Sequence, residues 1–213
     1  FGVFGCIATV MHSNGVDTML QLGQVLLALY ITFYLYAFII YGGMVKFFGK
    51  YSPIQFFKDI APAGLNAFGT CSSSATIPIS LKCASEKIGI PEEITSLTLP
   101  LGATINMDAV SILMSFMITF FATALGIDLS IGTMVTVLAC NVLLSIGTPG
   151  VPGGAIAAFA ALCPIAGIPT NQILGVYISI NTLCDMGATC VNVIGDLACS
   201  TVLKQTLHFD KKK

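Results

Sequence analysis

Residues 145–155 read SIGTPGVPGGA. Two prolines and four glycines in that stretch rule out regular helix. Proline removes an amide donor and clashes with the turn before it, and glycine leaves the backbone unconstrained. The stretch also lies inside a charge-free run, for no Asp, Glu, Lys or Arg occurs between Asp128 and Asp185. About 20 apolar residues cross a bilayer as a helix. The run is too long for one crossing, so it must fold back on itself. That predicts a hairpin over 129–167, with apolar helical arms and a Pro–Gly tip.

Working outward, the whole chain has the same character. Of 213 residues 55% are hydrophobic and 9% charged, with a mean hydropathy of +0.91. Soluble domains carry about a quarter charged residues. Charge is also missing between Asp17 and Lys46, between Asp59 and Lys82, and between Asp108 and Asp128. The expectation is an all-α, multi-pass protein of the cell membrane, with the lipid bilayer as its solvent. The eight cysteines include no CxxC, and His12 and His208 are the two histidines. A zinc site, a disulfide framework or a nucleophile–base pair is therefore not expected, and neither is enzymatic activity. No nucleic-acid partner is expected. The chain begins FGVFGC, without Met or a signal-peptide pattern, and reads as an internal start within a longer membrane protein.

A second interruption, CSSSATIP at 71–78, divides another apolar stretch, and a third, TINMDAV at 104–110, puts Asn and Asp in the middle of a span. Residues 1–15 read as the end of a helix before an NG turn, and 18–47 as a full crossing. Residues 48–58 read as an interfacial connection and 170–205 as the last crossing. Three segments follow. Residues 1–53 hold the end of one transmembrane helix and a full one. Residues 54–127 hold re-entrant hairpin one and a broken transmembrane helix. Residues 128–213 hold re-entrant hairpin two, the final helix and a basic tail. Hairpin plus helix occurs twice, the pattern of an inverted-repeat transporter core with sites at the helix breaks. This topology sorts all nine lysines to one side, and the positive-inside rule makes that side, with the C-terminus, cytoplasmic.

The final crossing contains DMGATCVNVIGD at 185–196. On a helix Asp185, Thr189, Asn192 and Asp196 fall on one narrow stripe, bordered by Asn181 and Ala188. A charge at membrane depth costs several kcal/mol unless paired or hydrated. The chain has no arginine, and its lysines lie at one face. The stripe therefore reads as a site for mobile cations and an ammonium group. Asn106 and Asp108, with carbonyls freed at the break from Gly102, Thr104 and Asn106, offer further oxygen ligands for a hard cation. Met107 reads by chemistry as core. The two tips expose backbone N–H groups at half-helix starts, an anion site that would seat a carboxylate between Ser73 and Ser74 on one side and Val151 to Gly153 on the other.

Four motifs in order, CSSSATIP, LPLGATINMD (99–108), SIGTPGVPG (145–153) and DMGATCVNVIGD, resemble the dicarboxylate/amino acid:cation symporters, the family of glutamate and neutral amino acid transporters. The chain resembles the C-terminal half of that family. The resemblance implies that Asp185 holds the substrate ammonium and that Thr189 and Asn192 touch its backbone. It implies that Ser73 and Val151 clamp its carboxylate. One sodium would sit among Gly102, Asn106, Asn192 and Asp196. A second would sit among Thr104, the carbonyls of Ser145, Ile146 and Thr148, and the Met107 sulfur, and Asn106 and Asp108 would form part of a third. It further implies sodium (Na+) as coupling ion, an elevator-type motion and a homotrimer in the full-length protein.

Three departures bear on the substrate. Ala188 stands where acidic-substrate members carry arginine, Cys71 where archaeal members carry another, and Val110 where acidic-substrate members carry threonine. A side-chain carboxylate would be buried unpaired at a cost of several kcal/mol. The expected cargo is therefore a small neutral amino acid such as alanine, serine, threonine or cysteine. Symport of an acidic amino acid or dicarboxylate, coupled to sodium or protons, and an ion channel are the alternatives. Asn181 replaces a family aspartate.

Overall fold

The computed structural model describes residues 20–207, so the expected helix end at 1–15, Asp17, both histidines and Lys211 to Lys213 lie outside the described residues. The described residues are helical, with no strand among them. Among the described residues three helices are long and apolar enough to cross a membrane. Helix α1 (Leu20–Phe47) is apolar on every side. Leu22, Leu29, Phe33, Ala37, Tyr41 and Val45 face inward, while Leu27, Ile31, Leu35 and Phe38 face out. A helix apolar all round is at home in lipid. Within α1, Ala37–Tyr41 is a π-helical segment.

Helix α2 (Pro53–Thr70) starts with proline at its first position behind the cap Ser52, which suits the fixed proline φ and missing N–H. It ends where Cys71 turns left-handed, at φ 51°. Ser72 then caps helix α3 (Ser73–Lys82) by accepting the Ala75 N–H at 3.1 Å. A π-helical continuation, Cys83–Ile88, carries α3 to Gly89. The break is thus shorter than the CSSSATIP reading implied. Ser73 and Ser74 already lie in the first turn of α3, where serine hydroxyls compete least with the helix, and Pro78 is inside it. Within the 48–58 stretch the helix begins at Pro53, as a proline near a helix start leads one to expect.

Helices α4 (Glu92–Ile105) and α5 (Asp108–Ala124) form one interrupted span broken at Asn106 and Met107. Glu92 and Glu93 occupy the first turn of α4, where the helix dipole favours anions. Helix α6 (Ile131–Ile146), capped by Ser130, and helix α7 (Gly154–Ile165) flank the Pro–Gly stretch. Helix α8 (Thr170–Thr206) runs 37 residues. Its most apolar window is 78% buried, against 28% for α1, and α8 packs against α1, α2, α3, α4, α5 and α7. It is the axis on which the other elements are assembled.

Small residues on α8 set how close its neighbours come. A Cβ on Gly195 would run into the Tyr41 ring and hydroxyl and the Asn106 amide, so glycine lets α1 and the α4–α5 break meet α8 at one level. At the far end Lys204 donates to the Ile88 carbonyl at 2.8 Å. Gly49 abuts Thr201 there. Lys50, Lys87 and Lys204 therefore gather at one end of the bundle.

Gly195→Ala is expected to lower stability by about 1–3 kcal/mol through overpacking. Gly175→Ala, in the same helix with nothing within 4 Å of an added Cβ, is expected to be neutral or stabilising by up to about 1 kcal/mol. Thermal unfolding in detergent, followed by far-ultraviolet circular dichroism, separates the two. Equal effects would mean that the Gly195 contact is not close.

Candidate functional site

The stripe on α8 is buried along its whole length: Asp185 is 6% exposed, Thr189 5%, Asn192 2% and Asp196 5%. Its two carboxylates lie in different surroundings.

Asp185 faces the two tips. Its Oδ1 accepts the Thr189 hydroxyl at 3.2 Å, and its Oδ2 accepts the Gly153 N–H at 3.0 Å. Gly153, left-handed at φ 78°, caps α7, so Asp185 sits at that helix's N-terminus, where dipole and free donors favour an anion. The tips are joined to each other through the Gly150 carbonyl, which accepts the Ser72 hydroxyl at 2.9 Å and the Ser74 N–H at 3.2 Å. Gly150 allows this because a Cβ there would collide with the Ala103 carbonyl and press on Ser73 and Ser74. The Val151 N–H is taken by the Pro149 carbonyl at 2.8 Å. Several donors read from the sequence as a carboxylate clamp are therefore engaged within the protein.

Ser73, Val110, Val151, Asp185, Thr189 and Asn192 line one cleft under the tips, together with Cys71, Met107 and Thr148. The cleft is nearly closed, with about 10 Å³ free, room for one water at most. On the other side of Asp185 a larger cavity of about 480 Å³ opens between the tips and α8. Ala188 is fully buried and lines neither space, so the structure does not bring it into the cleft with the other predicted substrate residues. Ser74 reaches the tip contact but does not line the cleft.

The inner half of the stripe meets the broken span. Asp196 Oδ1 accepts the Asn106 amide at 2.8 Å, and the same amide lies 3.4 Å from the Asn192 carbonyl. The Gly102 backbone passes so near the Asp196 carboxylate that a Cβ would overlap it. Gly102, Asn106, Asn192 and Asp196 are thus brought together. The Gly102 carbonyl is not freed by the break, however; it accepts the Asn106 N–H at 2.9 Å and closes the last turn of α4. Asn192 Oδ1 accepts the Ala109 N–H at 2.9 Å, capping the restart of the helix, and its amide lies 3.2 Å from the Met107 sulfur.

The second sodium set is only partly gathered. Met107 and Thr148 share the cleft wall. Thr104 is exposed, with its hydroxyl bonded to the Leu101 carbonyl at 2.7 Å. Ile146 is half-exposed, and the Ser145 carbonyl accepts the Thr148 N–H at 3.1 Å.

Asp108 has partners that the sequence reading missed. Both Tyr36 and Tyr41 donate their hydroxyls to Asp108 Oδ2, at 2.6 and 2.5 Å. Residues five apart point in different directions on an α-helix, about 140° apart. The π-helical segment between them gains a residue per turn and brings both hydroxyls to one carboxylate. The other oxygen, Asp108 Oδ1, is buried without a hydrogen-bond partner among the described residues. Two tyrosines inside an apolar span were the available signal, but an α-helical period separates them.

A profile of the sodium:dicarboxylate symporter family matches residues 1–206. Among curated relatives, human neutral amino acid transporter A is 32% identical over 82% of this chain and 33% of its own length. The proton/sodium-glutamate symport protein of Bacillus caldotenax is 30% identical over 96% of this chain and 48% of its own length. Human excitatory amino acid transporter 2 is 34% identical over 68% of this chain and 25% of its own length. The chain thus spans between a quarter and a half of these relatives. With the apolar crossings and the broken helix already described, the match leads to one conclusion: the chain belongs to the sodium:dicarboxylate symporter family, a family of membrane transporters and not of enzymes.

Proposed function

We propose that this chain is the substrate-carrying core of a sodium-coupled symporter for a small neutral amino acid. The observation that carries the reading is the chemistry around three carboxylates at membrane depth. Asp185 bonds to a backbone amide and a hydroxyl, Asp196 to a carboxamide and Asp108 to two phenols. Every one of these partners is neutral, and one Asp108 oxygen has none among the described residues. Anions so placed cost several kcal/mol unless a cation joins them. Sodium, as co-transported cargo, suits the oxygen-rich inner group, and a substrate ammonium suits Asp185. A relative named for neutral amino acid transport and one named for proton/sodium-glutamate symport support the same reading.

A neutral cargo is favoured because Cys71 and Val110, not basic residues, stand in the cleft wall beside Asp185. The relative named for glutamate symport keeps an acidic cargo as the second reading. The helix pairs α2–α3 and α6–α7 serve as re-entrant hairpins of an inverted repeat, entering from opposite faces. The three segments 1–53, 54–127 and 128–213 follow from that arrangement. The lysine-bearing end, with the C-terminus, faces the cytoplasm. The core moves as an elevator against parts supplied elsewhere in the full-length polypeptide, within a homotrimer.

In the cycle, sodium first neutralises Asp196 and Asp108. Admitting the amino acid then requires the tips to part, breaking the Ser72–Gly150, Ser74–Gly150 and Gly153–Asp185 bonds. At about 1 kcal/mol net for each bond, closure without cargo is favoured by a few kcal/mol. The arriving ammonium replaces the Gly153 donor at Asp185, and the carboxylate takes up the released N–H groups. Ion and substrate each raise the other's affinity, since coupling is reciprocal.

Full-length protein in proteoliposomes is expected to take up labelled serine or alanine with an affinity that rises with sodium; uptake indifferent to sodium would overturn the coupling. Asp185→Asn is expected to weaken amino acid binding about 10- to 100-fold through loss of a charge-assisted bond, read as the shift in half-saturating substrate. Asp196→Asn should instead move mainly the half-saturating sodium concentration, by about tenfold or more, at saturating substrate. Competition by excess aspartate as strong as that by serine would favour the acidic reading.

A further inference from the structure

Among the described helices α6 alone makes no contact with α8; it touches α4, α5 and α7 instead. It buries a narrow stripe, Val137, Asn141 and Ser145, spaced one turn apart. Ile131, Val135, Leu138, Val142 and Leu143 are left exposed. Helix α7, the other arm of the same pair, buries Ala155, Ala158, Phe159, Leu162 and Cys163 and packs on both α5 and α8. The two arms that carry the Pro–Gly tip are therefore seated unequally.

A polar contact makes up for the small buried area of α6. The Asn141 amide donates to the Ser111 carbonyl at 2.8 Å and to the Ser115 hydroxyl at 3.1 Å. Ser115 in turn donates to the same Ser111 carbonyl at 2.9 Å, which leaves its oxygen lone pairs free to accept. Both N–H donors of one carboxamide thus meet two acceptors one turn apart on α5. Among the described residues these are the hydrogen bonds that join α6 to another helix. Asn141 is 2% exposed, and its Oδ1 has no partner among the described residues, so the position uses the donors. In lipid, packing and interhelical hydrogen bonds hold helices together, because apolar burial alone gives no preference for protein over acyl chains.

The contact lies close behind the tip. Thr148 is bonded back onto α6, its N–H to the Ser145 carbonyl at 3.1 Å and its hydroxyl to the Leu144 carbonyl at 2.9 Å. The arm therefore runs as one unit to Thr148, which shares the cleft wall with Met107. Beyond it the tip is turned on itself, with the Val151 N–H on the Pro149 carbonyl. It meets the opposite tip through the Gly150 carbonyl and Asp185 through the Gly153 N–H.

We propose that Asn141 is a positioning residue of the symport cycle. It pins α6, with Thr148 at its end, to α5, so that opening of the second tip is confined to residues 149–153. The inference rests on the reading in which the tips part to admit an amino acid. Closure then returns the Gly150 carbonyl to Ser72 and Ser74 from a fixed base, and the cleft wall formed by Thr148 and Met107 stays in register throughout.

The test is hydrogen–deuterium exchange, resolved by peptide mass spectrometry, on the full-length polypeptide in detergent. It is run without ligand, with sodium, and with sodium plus serine, alanine or aspartate. In the wild type, sodium with a bound amino acid is expected to slow exchange across 149–153 by about tenfold and to leave 134–146 within about twofold. In Asn141→Leu, close in volume but without donors, exchange across 134–146 is expected to rise about tenfold in the absence of ligand. The arm should then also be slowed by sodium and amino acid, because it opens together with the tip. Ser115→Ala, which keeps the Ser111 carbonyl, should give a smaller rise. Val137→Ala trims the same buried stripe without touching the bonds, and its arm should loosen without becoming ligand-dependent; that contrast separates positioning from general damage. A wild-type arm slowed by ligand as much as the tip overturns the inference, and so does an Asn141→Leu arm that stays indifferent to ligand. Both results leave the symport reading standing, since the tip still responds. If no amino acid slows the tip in the presence of sodium, the symport reading falls and takes the inference with it.

Discussion

Three acidic side chains, Asp185 and Asp196 buried and Asp108 half-buried, set the terms for the rest of this structure, because none has a basic partner among the described residues. Hydrocarbon does not tolerate an unsatisfied anion. The chain meets Asp108, Asp185 and Asp196 with phenols, a carboxamide, a hydroxyl and a helix N-terminus. Each partner is a polarised neutral donor, and none cancels the charge. Much of the irregularity in the fold supplies these donors. The α4–α5 break delivers Asn106 to Asp196, the second tip delivers Gly153 to Asp185, and the π-helical segment delivers two tyrosines to Asp108.

The irregular segments also lean on one another. Asn192 caps the restart of α5 through the Ala109 N–H while its carbonyl lies near Asn106. Gly150 presents one carbonyl to two donors of the opposite tip. Non-helical backbone is tolerated at membrane depth only where protein or a polar cavity satisfies it. Here each break is satisfied largely by another break, with α8 as the common surface. On the proposed reading, ions and substrate at these breaks exchange places with bonds the protein makes to itself. Ligand binding and tip opening are then parts of the same equilibrium.

Much of the architecture was legible before any coordinates. Charge gaps and apolar runs gave the crossings, and the Pro–Gly and serine segments gave the interruptions, because proline, glycine and serine act on local backbone geometry. Their limits were less legible. Serine reads as a helix breaker in the interior yet is favoured in a first turn, so Ser73 and Ser74 joined α3. The stripe of Asp185, Thr189, Asn192 and Asp196 followed from helical period alone. Tyr36 and Tyr41 did not, since a π-helical turn leaves no mark in a pattern read at the α-helical period.

The sequence by itself therefore determined the solvent of this protein, its all-helical class, the segments in which its helices are interrupted, and a line of acids that no arginine or lysine accompanies. These are local or compositional properties, settled by side-chain chemistry and periodicity. Tertiary structure decided which donors reach which acid, that the tips latch to each other through Gly150, that Ala188 is buried outside the lining of the cleft, and that Asn181 lines the larger cavity beside Asp185. Those depend on how closely segments far apart in sequence can approach, 78 residues for Ser72 and Gly150, 90 for Asn106 and Asp196 and 111 for Cys71 and Thr182. Packing around the small residues of α8 sets that distance, and no local pattern encodes it.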